Sequence, residues 1–288
     1  MKQYILSSFV SKIGGGNKAA VVLDDVSLCD NEMKNIAKMN NLSETAFISI
    51  QESKDNNFVI RYFTPMEEVD ICGHAALASF NILDELGRLK GNEFYHSTKA
   101  GSLKVVKREG IFYIEMKKPE IVGYASIDEI LDITSLKEEE IIPDVNGRIS
   151  IISTGLKDAI IEVASLNILK EMSIIKEKMI NFCKRKGIVG AHVVSRETLE
   201  SDSDFACRNF APAVGIDEES ATGTSNGSLV YYMKNLAKNR LNKNSFKIEQ
   251  GYFMDSPSNI YVYTDNSHDI RIFVGGKTKT LEIQELRF

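Results

Sequence analysis

The sequence is poor in the residues from which metal and disulfide frameworks are built. Its four cysteines, Cys29, Cys72, Cys183 and Cys207, lie far apart with no Cys-x-x-Cys spacing, and its four histidines include no His-x-x-x-His. No metal site is expected, and no disulfide scaffold, which belongs to small secreted chains. Also missing is any run of about 18 to 20 uninterrupted apolar residues, the length a membrane helix requires, and the first ten residues lack an apolar signal region with a cleavage site. The expectation is a cytoplasmic protein with no membrane partner. The 35 Lys and Arg are scattered and outnumbered by 40 Asp and Glu, for a net charge of −5 and a pI near 5.6. No basic stripe offers phosphates a track, so nucleic acid is not an expected partner. What is present, 43% hydrophobic and 26% charged residues over 288 positions, fits one large globular domain or two of about 140 residues.

Short strand-like runs dominate, at 4–10, 19–23, 46–51, 58–64 and in a hairpin over 103–116 that turns at 108–110. Between them the pattern predicts a helix over 30–39 behind an Asp N-cap, and Ser126 with Glu129 forms a capping box opening a short helix. The second half predicts strands at 148–153 and 157–164, one helix over about 167–185, and strands at 188–195 and 204–210. Strands and helices mix without regular alternation, which disfavours a doubly wound parallel sheet.

Two segments match each other about half a chain apart. Arg61-Tyr-Phe-Thr-Pro65 is followed by acidic residues and then Cys72-Gly73-His74, which opens an apolar helix over 75–86. Arg208-Asn-Phe-Ala-Pro212 is likewise followed by acidic residues and then Thr222-Gly223-Thr224, which opens a helix over 225–236. The match points to an internal duplication in which each half supplies a strand, a loop and a Gly-led helix N-terminus. Helix N-termini present free N–H groups and a positive dipole end, a cradle for a carboxylate or a developing oxyanion, and two-domain proteins commonly bind small molecules between their domains. Glycine at 73 and 223 suits a close approach of ligand to backbone.

Four motifs need weighing. Gly14-Gly-Gly16-Asn-Lys-Ala19 fits a loose dinucleotide pattern, but a strand follows it where the fingerprint needs a helix, and Lys18 lacks the following Ser or Thr of a phosphate loop. A turn into a strand is expected, with Asn17 able to point an amide into a site. Gly223-Thr-Ser225-Asn-Gly227 matches a nucleophile elbow, with Asp265 and His268 in hydrolase order, yet the preceding segment, 216–222, reads as a polar loop rather than a buried strand. Cys72-Gly-His74 sets a thiol at a helix start, where the dipole lowers its pKa; a two-thiol racemase would want a second Cys at the matching position, which is Thr222. Glu44, beside Ala46-Phe47-Ile48, reads either as an exposed loop residue or as a partly desolvated carboxylate with a pKa raised toward neutrality, suited to taking and returning a proton.

Read together, these residues resemble the PhzF family of phenazine-biosynthesis isomerases, within the diaminopimelate epimerase-like fold. The resemblance rests on Gly16-Asn17-x-Ala-Ala-Val-Val22, Ser43-Glu44-Thr45-Ala46-Phe47, Arg61-Tyr-Phe-Thr-Pro65, Asp70-Ile-Cys-Gly-His-Ala75, Ser153-Thr-Gly155, Arg208-x-Phe-Ala-Pro212, Gly215-Ile216, Ala221-Thr-Gly223 and Glu249-Gln-Gly251, in the family's order over nearly the whole chain. It implies an α+β fold of two pseudo-repeated domains, 1–125 and 126–288, each a mostly antiparallel sheet wrapped around a central helix, with the final strand able to return to the first domain. It further implies an active site between the domains, no metal or cofactor, and a homodimer. Glu44 matches the family's catalytic glutamate, acid and base in moving a proton across the ring of trans-2,3-dihydro-3-hydroxyanthranilate. His74 matches the histidine beside the substrate, and Gly73 and Gly223 match backbone donors. Glu219 stands where the phenazine enzyme carries Asp, Thr224 where it carries Ser, and Ser220 in place of a Pro, while Met254-Asp-Ser-Pro-Ser258 lacks the family's Arg. The longer Glu219 and the extra methyl of Thr224 point to a different substrate.

The expected function is a cofactor-independent isomerase in which Glu44 shifts a proton on a small carboxylated substrate. Glu219 and His74 would bind polar substituents and tune Glu44, with Asn17, Cys72, Gly73, Thr222, Gly223 and Thr224 as the substrate-binding set. A serine hydrolase using Ser225, a cysteine-based epimerase using Cys72 and a binding protein without turnover are the competing readings.

Overall fold

The chain folds as two units, residues 1–115 with 275–288, and residues 116–274. A computed structural model describes residues 1–99, 101–265 and 269–286. In the first unit, β1 (Lys2–Ser8) and β2 (Asn17–Asp24) lead through α1 (Asp30–Asn40) to β3 (Thr45–Lys54), β4 (Asn57–Phe63) and the short β5 (Glu68–Val69). Then come α2 (Gly73–Glu85), β6 (Glu93–Thr98), β7 (Gly101–Arg108) and β8 (Ile111–Glu115). Parallel pairing needs a crossover, and helices supply it twice: α1 joins the parallel pair β2–β3, and α2 joins the parallel pair β4–β6. The remaining pairs, β1–β2, β3–β4, β6–β7 and β7–β8, are antiparallel.

The second unit repeats this order. It opens with β9 (Glu120–Ala125), α3 (Ile127–Ile133) and β10 (Ile141–Ile142), then β11 (Ile149–Ser153), β12 (Lys157–Val163), α4 (Leu166–Glu171) and α5 (Lys176–Lys186). After them come β13 (Gly190–Ser195), β14 (Phe205–Ala211), β15 (Ile216–Glu219), α6 (Gly223–Asn235), β16 (Ser245–Gln250) and β17 (Ser258–Asp265). β12–β13 and β14–β16 are parallel, β11–β12, β13–β14 and β16–β17 antiparallel, the same succession as in the first unit. β18 (Arg271–Gly276) spans the division, and β19 (Thr278–Glu285) lies antiparallel on β1 within the first unit. β9, counted with the first repeat in the sequence, lies antiparallel on β11 within the second unit.

Each central helix is buried nearly all round. On α2, residues 74–80 together with Ile82 and Leu83 are buried, and on α6 residues 225–230, Tyr232 and Met233. The run of Ala75, Ala76, Leu77 and Ala78 combines high helix propensity with small volume, which lets the sheet close around the helix. The repeated Arg-x-Phe-x-Pro segment serves this architecture. Arg61 Nε and Nη2 grip both oxygens of Glu68 at 2.8 Å, tying β4 to β5 just ahead of α2. Arg208 does the same with Glu218, at 2.9 and 2.8 Å, tying β14 to β15 just ahead of α6.

Three local expectations are corrected. Residues 216–219, read as loop, pair with β14 as β15, where Arg208 of β14 holds the Glu218 carboxylate. The single helix over 167–185 is two, α4 and α5, broken where Ile175 N–H bonds the Ile133 carbonyl at 2.8 Å and Ser135 N–H bonds that of Ser173 at 2.9 Å. The N-cap of α1 is Cys29 rather than an Asp, its N–H held by the Glu32 carboxylate at 2.8 Å. Ser126 and Glu129 form the expected capping box on α3. Among the described residues, no helix is long and apolar enough to cross a membrane.

Candidate active site

The first unit gathers Asn17, Ser43, Glu44, Cys72 and His74 from the starts of three elements. Asn17 opens β2, Glu44 directly precedes β3, and Cys72 is the N-cap of α2. The three glycines at 14, 15 and 16 all have positive φ, and Gly16 has no room for a Cβ, which would lie 2.5 Å from the Ser8 carbonyl, so the turn delivers Asn17 directly from a tight bend. The Ser8 hydroxyl donates to the His74 carbonyl at 2.7 Å and fixes the first turn of α2.

The buried imidazole of His74 is the hub. Its Nε2 lies 3.2 Å from Glu44 Oε2 and 3.4 Å from Ser43 Oγ, and its Nδ1 lies 3.4 Å from both Cys72 Sγ and the Asn17 amide. Burial opposes charge on His74, but the Cys72 sulfur and the Glu44 carboxylate outweigh it and hold the imidazole well above its ordinary 6.5. On Glu44, burial pushes the pKa up, and His74, Ser43 and Cys72 together pull it below the ordinary 4.5. The expected rise toward neutrality is therefore overturned: desolvation is present, but the imidazolium wins. Cys72 is buried and its thiol is pushed up, first by burial and then by the Glu44 charge. The arrangement is a Glu44 carboxylate and a His74 imidazolium with a neutral thiol alongside. Glu44 Oε2, although buried and close to His74, makes no aligned hydrogen bond, which leaves a lone pair for an incoming proton.

Glu44, Cys72 and His74 place one ligand atom each within 4.8 Å of one another. Metal ligation needs a thiolate and a neutral imidazole, whereas this set favours the protonated form of both.

The second unit gathers Glu219, Thr222, Gly223 and Thr224 at the start of α6. The Thr222 hydroxyl donates to Glu219 Oε2 at 2.8 Å, and the Thr224 carbonyl accepts from the Thr154 hydroxyl at 2.7 Å. A Cβ at Gly155 would lie 3.1 Å from the Thr224 methyl, so Ser153-Thr-Gly155 and Thr224 pack closely. Ser225 is buried; its hydroxyl donates to Asp158 Oδ2 at 2.6 Å and accepts from Asn209 at 3.2 Å. No described histidine bonds it, and His268 lies outside the described residues. Ser43, Asp158 and Gln250 carry no role in the sequence reading, although Ser43 and Gln250 both sit inside motifs that support the family resemblance.

The model of the family described as phenazine biosynthesis-like protein, PhzC-PhzF, matches residues 6–282. The chain belongs to this PhzF-like isomerase family. An uncharacterised isomerase of Bacillus subtilis, YfhB, is 35% identical over 254 residues, covering 85% of this chain and 84% of that protein. The crystal structure of a Bacillus anthracis phenazine biosynthesis protein of the PhzF family superposes with a TM-score of 0.84 at 26% identity, covering 100% of this chain and 99% of that one. A hydroxyproline epimerase from Agrobacterium vitis, 12% identical with a TM-score of 0.58 over 99% of this chain and 91% of that one, shares the fold. The PhzF-like isomerase assignment and the α+β epimerase-like fold expected from the motifs both hold.

Proposed function

We propose that the protein catalyses a cofactor-independent proton shift on a small carboxylated substrate, with Glu44 taking the proton from one carbon and returning it to another. The observation that carries this reading is the buried Glu44 oxygen beside an imidazolium, a carboxylate kept ionised with a free lone pair. His74, as an imidazolium, holds Glu44 in its basic form, and the proton taken from the substrate stays on the Glu44 carboxyl until it is returned. An imidazolium wants acceptors at both nitrogens; Glu44 Oε2 pairs its charge from 3.2 Å at Nε2, and the Asn17 amide can turn its oxygen toward Nδ1. Glu219, Thr222 and the amides of Gly223 and Thr224 are the proposed partners for the substrate's polar substituents, and Gly73 N–H for developing negative charge. The substrate class is that of trans-2,3-dihydro-3-hydroxyanthranilate, altered to suit the longer Glu219 and the Thr224 methyl.

The test is solvent exchange. Incubated in deuterated water with trans-2,3-dihydro-3-hydroxyanthranilate and related unsaturated amino or hydroxy acids, the enzyme should incorporate deuterium at a substrate carbon. Failure across that class would sink the reading, and covalent capture of Ser225 by a fluorophosphonate would replace it with the hydrolase.

Two further results are expected. Because Glu44 is held below 4.5 and His74 above 6.5, the charged pair is the favoured state between those values. The pair's contribution to stability is lost as pH falls through the lowered Glu44 value and as pH rises through the raised His74 value. A pH–rate profile should be flat from about pH 5 to 7; a limb centred inside that window would contradict the ion pair. Separately, Gly73 has no positive φ, and an added Cβ meets nothing within 4 Å. The fold does not need glycine there. Gly73→Ala should leave stability within about 1 kcal/mol while lowering turnover, because its methyl stands where ligand approaches the amide; unchanged kinetics would remove Gly73 from the binding set.

A further inference from the structure

The Glu249-Gln250-Gly251 motif at the end of β16 has no part in the chemistry above, yet its middle residue is wired to Glu219. Gln250 is buried, and both ends of its amide are engaged. Its Oε1 accepts from Thr222 N–H at 3.2 Å and from Asn226 Nδ2 at 2.8 Å. Its Nε2 donates to the Glu219 carbonyl at 2.7 Å and to the Thr222 hydroxyl at 3.0 Å. That last bond sets a direction. A hydroxyl has a single proton, so Thr222 Oγ1, accepting from Gln250, donates its own to Glu219 Oε2 at 2.8 Å.

We infer that Gln250 is a positioning residue: acting through Thr222, it orients Glu219 and favours the ionised form of its carboxylate. The inference rests on the reading of Glu219 as a substrate-binding group. The flanking residues secure the same device. The carboxylate of Glu249 accepts from the N–H groups of Leu199 and Glu200 at 2.8 and 2.6 Å. Gly251 has φ +76, and a Cβ there would lie 2.3 Å from the Ser256 carbonyl and 2.7 Å from that of Ser220, so the strand end is clamped against the residue that follows Glu219. The corresponding strand end of the first unit is Thr98, matched by register through the Val59↔Ser97 and Ala206↔Glu249 pairs, so the device belongs to the second unit.

The test follows the Glu219 carboxyl carbon by NMR against pH in the 13C-labelled, ligand-free protein, with Glu219→Gln giving the assignment. Thr222→Val, which removes the hydroxyl and keeps the shape, should raise the Glu219 midpoint by about one pH unit, because hydrogen bonds to a carboxylate favour its charged form. Thr222→Ser should restore the wild-type midpoint. Gln250→Met, which removes the amide, and Gln250→Glu, which removes its donors and adds a like charge, should both raise it. An unshifted midpoint in Thr222→Val or Gln250→Met would overturn the inference, as would a Thr222→Ser variant that behaves like Thr222→Val. Loss of folding in both Gln250 variants would make the residue structural and overturn it too. The readout needs no turnover, so it stands apart from any failure of the Glu44 chemistry.

Discussion

Glu44→Gln is expected to lower turnover by about 10²- to 10⁴-fold, the contribution of one positioned acid–base group. The substitution keeps the shape of the side chain and removes its ability to accept a proton. Glu44 is partly accessible, at 20% of its side-chain surface, and sits at the end of a strand, so the fold should persist. A second consequence identifies the cause. With the carboxylate gone, His74 loses one of the groups that favour its charged form, and its titration should fall. Kinetics, circular dichroism and imidazole NMR on the same variant separate the possibilities. Near wild-type turnover would remove Glu44 as the proton carrier, whereas lost activity with an unmoved His74 would place the imidazole outside its field.

Much of this arrangement is legible in the sequence, because the features that carry it are local. Glycine spacing marks the turn before Asn17, alternation marks the strands, and two Gly-led helix starts follow two Arg-x-Phe-x-Pro runs. The pairing of Arg61 with Glu68 and of Arg208 with Glu218 is not legible, since it forms only when β5 and β15 fold back on their neighbours. The same fold-back turns an acidic loop into β15. The direction of the Glu44 shift escapes the sequence for a related reason. Sequence shows the apolar neighbours that raise a pKa, but the imidazolium that lowers it is brought up by a helix starting at residue 73. Gln250 likewise has no visible partner in the sequence, since its contacts, Thr222 and Asn226, lie at the start of α6, 28 and 24 residues earlier.

Gly190→Ala should be among the most destabilising single substitutions in the second unit, and the reason bears on why one repeat carries the glutamate. Across the ladders, Phe47 pairs with Arg61 and Val193 with Arg208, so the position matching Glu44 is Gly190. There a Cβ would lie 2.0 Å from the Phe210 carbonyl oxygen and 3.1 Å from the α-carbon of Ala211, both backbone and both within β14. Neither can yield without breaking the β13–β14 ladder. The expected cost is about 3 kcal/mol, at the upper end of overpacking, which for a unit of this size lowers the melting temperature by about 6–12 °C. Thermal unfolding measures it directly, and a change under about 2 °C would show that β14 can shift aside. The carboxylate present at this place in the second unit comes from the paired strand. Asp158, opposite Gly190, accepts from the Gly190 N–H and from Ser225, and burial pushes it up to about 6. Both its bonds serve the backbone and the start of α6, and it is buried from solvent. In this unit the carboxylate braces the helix that carries Thr222 and Gly223.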